Sequence, residues 1–109
     1  MKLDEYQQLA MKTAIFPKNE SFSYTTLGLV GEAGEIANKV KKFIRDGYDQ
    51  EELHQKKEEV ADELGDVLWY VAAVAEVMGT NLEAVAKNNL WKLAERQRKG
   101  TLRGSGDKR

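Results

Sequence analysis

Cysteine is absent from the chain, so disulfides, thiolate metal sites and cysteine nucleophiles are excluded. A single histidine, His54, rules out a histidine-rich metal site and would have to serve alone in any histidine-based catalysis. It reads instead as an exposed helix residue. Proline occurs once, at Pro17, which leaves the rest of the chain free to form long helices. No apolar run approaches the roughly 20 residues of a membrane-spanning helix. The first residues carry Asp4 and Glu5 and no apolar stretch of the kind a secretory signal needs. The expected compartment is the cytoplasm, with no membrane partner. An excess of one charge is also lacking. Seventeen basic side chains face 18 acidic ones, for a net charge of −1, which argues against a nucleic-acid partner held by bulk positive charge.

What is present is a charged, helix-favouring composition on a chain of single-domain size, 109 residues. A domain this small has a modest core and is often helped by oligomerisation or a bound metal. Three- and four-residue spacing of Tyr6, Leu9, Ala10, Thr13 and Ala14 predicts a first helix over 3–15, broken by Pro17 and the polar residues after it. A second helix is expected from about Ser23 to Arg45, stopped at Asp46-Gly47. A third should run from about Gln50 to Met78, closed by Gly79. Thr80 and Glu83 have capping-box spacing, so a fourth helix starts near Thr80 or Asn81 and ends near Gly100. Residues 1–100 thus form one helical domain and 101–109 an irregular C-terminal tail. With no strand-like alternation, the fold class is all-α, a four-helix bundle-like arrangement.

The helix faces carry the chemistry. On the third helix Val60, Leu64, Val67, Val71, Val74, Ala75 and Met78 share one face, the expected core. Glu59, Glu63, Asp66 and Tyr70 form a second stripe beside it, and Trp69 falls on another side, suggesting a second buried surface such as a subunit contact. On the second helix Leu29, Ala33, Ile36, Ala37, Val40 and Ile44 make the core face. Glu32 and Glu35 lie at its edge, followed by Lys39 and Lys42. Each long helix therefore has an acidic i,i+3 pair bordering the core. Antiparallel packing would bring the pairs together, and four carboxylates at one place repel unless a cation neutralises them. Oxygen donors suit Mg²⁺, Mn²⁺ or Ca²⁺, and Mg²⁺ is commonly completed by substrate phosphates. Gly28, Gly31 and Gly34 in the second helix and Gly65 in the third each cost about 1 kcal/mol against alanine, which close helix approach or room for a ligand would explain. By spacing alone, however, solvated surface charge is the commoner origin of such pairs, and Glu35–Lys39 is also an ordinary i,i+4 ion pair.

These residues resemble a known family. Gly31-Glu32-Ala33-Gly34-Glu35, followed by Glu63-Leu64-Gly65-Asp66-Val67-Leu68-Trp69-Tyr70, is similar to the ExxE, spacer, ExxD pattern of the MazG-like nucleotide pyrophosphohydrolases of the all-α NTP pyrophosphatase superfamily. Asn89, Lys92 and Arg96 resemble the family's N-x-x-K plus Arg pattern, and Gly104-Ser105-Gly106-Asp107-Lys108-Arg109 resembles the tail of its short single-domain members. The resemblance implies Mg²⁺-dependent hydrolysis of a nucleoside triphosphate to the monophosphate and diphosphate, for house-cleaning or nucleotide-pool control. It makes Glu32, Glu35, Glu63 and Asp66 the catalytic metal ligands, with one of them or Glu59 handling the attacking water. Lys39, Lys42, Lys92 and Arg96 would hold phosphate oxygens, and Asn89 the sugar or a phosphate. It also implies a homo-oligomer, a tetramer in preference to a dimer. Tyr6, Phe16, Phe22, Tyr24 and Trp69 are candidates to line a base pocket, although core or subunit packing is the commoner use of each. Sibling specificities, for dUTP, dCTP or phosphoribosyl-ATP, share the pattern, and a non-catalytic helical interaction module is the rival from another class.

Overall fold

The computed structural model describes residues 1–109 and contains four α-helices and no strand: α1 (Leu3–Met11), α2 (Ser21–Asp46), α3 (Gln50–Val77) and α4 (Leu82–Lys99). α1 stops four residues short of its expected end. The N–H groups of Lys12, Thr13 and Ala14 turn back three residues instead of four, and the Thr13 hydroxyl donates to the Ala10 carbonyl at 2.7 Å. Pro17 then disfavours helix at the residue before it and opens a 3-10 turn, Lys18–Glu20, that runs into α2 two residues earlier than expected. α2 closes at Gly47, φ +72°, as its Gly signal indicates. Asp49 caps α3, its side chain accepting from the Glu52 N–H at 2.9 Å.

The junction between α3 and α4 shows why Thr80 is not the cap. Gly79 adopts φ +76° and the Thr80 N–H returns to the Ala75 carbonyl, which finishes α3. Asn81 caps α4 instead, accepting from the Ala84 N–H at 2.8 Å. α1 supplies two more acceptors. The Asp4 carboxylate takes the Glu83 N–H and the buried Gln7 amide oxygen takes the Leu82 N–H, at 3.1 and 2.8 Å. The first three N–H donors of α4 are thus all satisfied by side chains. The Gln7 amide nitrogen donates to Glu76 and to the Thr80 carbonyl, pinning the turn from the other side.

α2 and α3 form a long antiparallel hairpin, since Gly28 faces Tyr70 while Phe43 lies under Lys56. α1 and the start of α4 pack on the C-terminal half of α3, and α2 does not pack on α4. The core lies there, built from Ala10, Ala72, Ala75 and Leu82 with Tyr6, Met11, Trp69 and Val71 against it. The expected core stripe of α3 is therefore only partly buried. Leu64 and Met78 are exposed, and so are Ala33, Ala37, Val40 and Ile44 on α2, which packs on no α-helix but α3. The second buried surface expected at Trp69 is supplied within the chain. α1 crosses α3 at this point, and the indole N–H donates to the Ala10 carbonyl at 3.2 Å and to the Thr13 hydroxyl at 2.9 Å.

Candidate metal and nucleotide site

The hairpin's antiparallel register brings the two acidic pairs to one level. One carboxylate oxygen each from Glu32, Glu63 and Asp66 lies within 4.8 Å of the others. Glu32 and Glu63 are half-buried and Asp66 is exposed. The Glu32 carboxyl is held above the ordinary carboxylate range, first by burial and then by the charges of Asp66, Glu63 and Glu35. The neighbouring cation is Lys39, whose Nζ stands 3.2 Å from Glu63 Oε1. Three acidic oxygens sharing one place with one ammonium make a donor set that fits a hard divalent cation. Glu35, one turn further along α2, is exposed and lies outside the converging three.

Two phenols border the acids. The Tyr6 hydroxyl is pushed up by burial and by Asp66, and that of Tyr70 by burial, by Tyr24 and by Glu32 and Asp66. Tyr70 already shares the acidic stripe in the sequence, but nothing in the helix period shows that α1 delivers Tyr6 to the same place. Gly28 makes room for Tyr70, since a Cβ there would penetrate the ring. Gly31, Gly34 and Gly65 have nothing within 4 Å, so close approach within the chain explains Gly28 alone. Of the base-pocket candidates, Phe16 stacks on Tyr24 at 5.8 Å and meets the Trp69 edge at 6.4 Å, a packing role. Phe22 is exposed.

The remaining candidates stand elsewhere. Lys42 is exposed near Asp46. Asn89 lines an apolar groove between α3 and α4 with Leu68 and Val85. Lys92 and Arg96 are near the end of α4, where both contact the Asp107 carboxylate, at 3.3 and 3.2 Å. His54 is an exposed residue paired with Glu58 one turn on.

An all-helical chain with acids from two antiparallel helices meeting at one point is the arrangement expected of the MazG-like pattern. The chain matches the MazG nucleotide pyrophosphohydrolase domain over residues 20–101 and belongs to that family. It is similar to the Gene 37 protein of Mycobacterium phage L5, 47% identical over the full length of both chains. It is also similar to the uncharacterized protein YvdC of Bacillus subtilis (strain 168), 38% identical over 62% of this chain and 68% of that protein. No solved structure matches it.

Proposed function

We propose that the protein is a Mg²⁺-dependent nucleoside triphosphate pyrophosphohydrolase, converting a (d)NTP and water to the (d)NMP and diphosphate. The observation that carries this reading is the convergence of Glu32, Glu63 and Asp66 across the α2–α3 hairpin, within a family of nucleotide pyrophosphohydrolase domains. These three residues, with Glu35 as a fourth carboxylate, would hold Mg²⁺ or Mn²⁺. The bound cation supplies neutralisation of phosphate charge and acidifies water. Glu59, half-buried one turn before Glu63, or one of the four acids accepts the proton of the attacking water. Lys39 keeps the Glu63 carboxylate oriented. Lys39, Lys42, Lys92 and Arg96 contact phosphate oxygens, and Asn89 the sugar or a phosphate.

α2 does not pack on α4, so within one chain no direct helix contact joins Glu32 to the Lys92–Arg96 pair. A homo-oligomer, tetramer before dimer, would join them by placing α4 of one copy against the hairpin of another.

Product analysis tests the reaction. Each of the common ribo- and deoxyribonucleoside triphosphates is incubated with the protein, in Mg²⁺ and in EDTA. Metal-dependent monophosphate plus diphosphate is expected. Nucleoside diphosphate plus phosphate, or turnover that persists in EDTA, overturns the proposal.

A further inference from the structure

Residues 101–109 fold back on α4 in a defined loop. Gly100 and Gly106 turn the chain at φ +71° and +81°. The Arg109 guanidinium donates to the carbonyls of Thr101 at 3.0 Å, of Leu102 at 3.5 Å and of Gly106. Its side chain crosses Gly104 so closely that a Cβ there would lie 2.6 Å from Arg109 Cδ. The loop and the last turns of α4 enclose a cleft of about 210 Å³ in which Lys92, Arg96, Lys99, Lys108 and Arg109 face two acids, Glu95 and Asp107. Glu95 is engaged by Arg98 at 2.8 Å. Asp107 is therefore the acid that meets the cleft's own cations, and it meets two of them. Its Oδ1 accepts from Lys92 and Arg96, and its backbone carbonyl accepts from Arg96 Nη2 at 3.0 Å.

The two sides of this contact are unequal. Arg96 is buried, with its side chain 9% exposed, whereas the Asp107 side chain is 81% exposed. A carboxylate that open to water contributes a weak, screened pairing. An oligophosphate brings several charges and more acceptor oxygens to the same donors, in a geometry that suits the guanidinium fork.

We propose that Asp107 is a built-in stand-in for phosphate: it occupies the donors of Lys92 and Arg96 until an oligophosphate group enters the cleft and displaces it. Lys99 and Lys108 then add to the anion's contacts. The inference rests on the reading of Lys92 and Arg96 as phosphate contacts, and it assigns the loop the role of setting how easily phosphate enters.

The test is calorimetric binding of inorganic pyrophosphate and tripolyphosphate to the full chain, in Mg²⁺ and again in EDTA, for wild type, Asp107→Asn and Asp107→Ala. Thermal melts establish that all three are folded. Both variants should bind about two- to fivefold more tightly, the range expected when an exposed ion-pair competitor is removed. Adding Lys92→Gln to either background should weaken binding, which locates the anion in this cleft. Equal affinity in wild type and variants overturns the stand-in while leaving the phosphate reading of Lys92 and Arg96 intact. Weaker binding in both variants overturns it by making Asp107 a positioning residue for the two cations. No binding to any of the proteins in either buffer overturns the phosphate reading itself and the stand-in with it.

Discussion

At the scale of single residues, the acidic site is a point of stored repulsion. Burial and three neighbouring carboxylates raise the Glu32 carboxyl in the folded chain. A carboxyl that binds its proton more tightly when folded stabilises the fold at low pH, and this contribution is lost as pH rises through the folded value. The window lies above the ordinary carboxyl value of 4.5. Asp46, Glu95 and Asp107 are lowered by their Arg and Lys partners and act in the opposite sense, at more acidic pH. Metal-free melts should therefore fall in midpoint as pH rises above the ordinary carboxyl value, and Glu32→Gln should flatten that slope. A slope unchanged by the substitution would remove Glu32 as its source. Mg²⁺ at saturation should restore the midpoint in the wild type, by about 2.7 kcal/mol at a hundredfold excess over its dissociation constant. Glu63→Gln should abolish the Mg²⁺ shift and lower nucleotide turnover by about 100-fold or more. The acids are legible in the sequence because the i,i+3 spacing on each long helix fixes which face they share. Glu35 is not separated from Glu32 by that logic, since one turn of helix keeps both on the edge while only the hairpin's crossing decides which one meets α3.

The elements are held by a few contacts, and these were the least readable part of the sequence. A buried glutamine looks like any surface glutamine in a helical stretch, yet Gln7 joins α1 to the end of α3 and the start of α4. Gln7→Ala leaves the buried Leu82 N–H without its acceptor and should cost about 1–3 kcal/mol in denaturant unfolding. A surface Gln8→Ala, by contrast, should stay within about 0.5 kcal/mol. The crossing of α2 and α3 has a similar single point. Gly28→Ala gains about 1 kcal/mol of helix propensity. It also drives a methyl group into the Tyr70 ring, a clash of about 1–3 kcal/mol that should leave the variant less stable. In a Tyr70→Ala background the same substitution should become neutral or stabilising, and a double-mutant cycle reads the difference. Helix number and order follow from the apolar period and the glycine stops. The placement of α1 does not, because nine residues with one apolar face fit more than one neighbour. That is why the periodicity shows a second buried surface at Trp69 without showing that α1 is what covers it.

At the scale of the whole molecule, the chain is extended and sparsely buried. Its radius of gyration is 17.1 Å, against about 13 Å for a compact domain of this length. Only eight residues are buried, most of them where α1 and α4 meet α3. The apolar stripe that the sequence assigns to the core of α2 lies largely open, with Ile44 77% exposed and Val40 40% exposed. The helical period and the single chain therefore disagree about this stripe, and a second copy packed on the α2 side of the hairpin, as the proposed homo-oligomer requires, would resolve the disagreement. Burying such a face is the dominant favourable term in association, and it would supply the core that a chain of this size lacks. Sedimentation equilibrium should give a mass above that of one chain at micromolar concentration, and the melting midpoint should rise with protein concentration, as mass action requires for an oligomer. Ile44→Glu discriminates between a truly solvated surface and a covered one. On a solvated surface the substitution changes stability by about 0.5 kcal/mol or less. In an interface it buries an unpaired charge, so the variant should sediment as a smaller species and melt at a lower temperature. A wild-type chain that sediments as a monomer, with a melt independent of concentration, would overturn the homo-oligomer and leave the stripe as the solvated surface that a near-neutral Ile44→Glu would report.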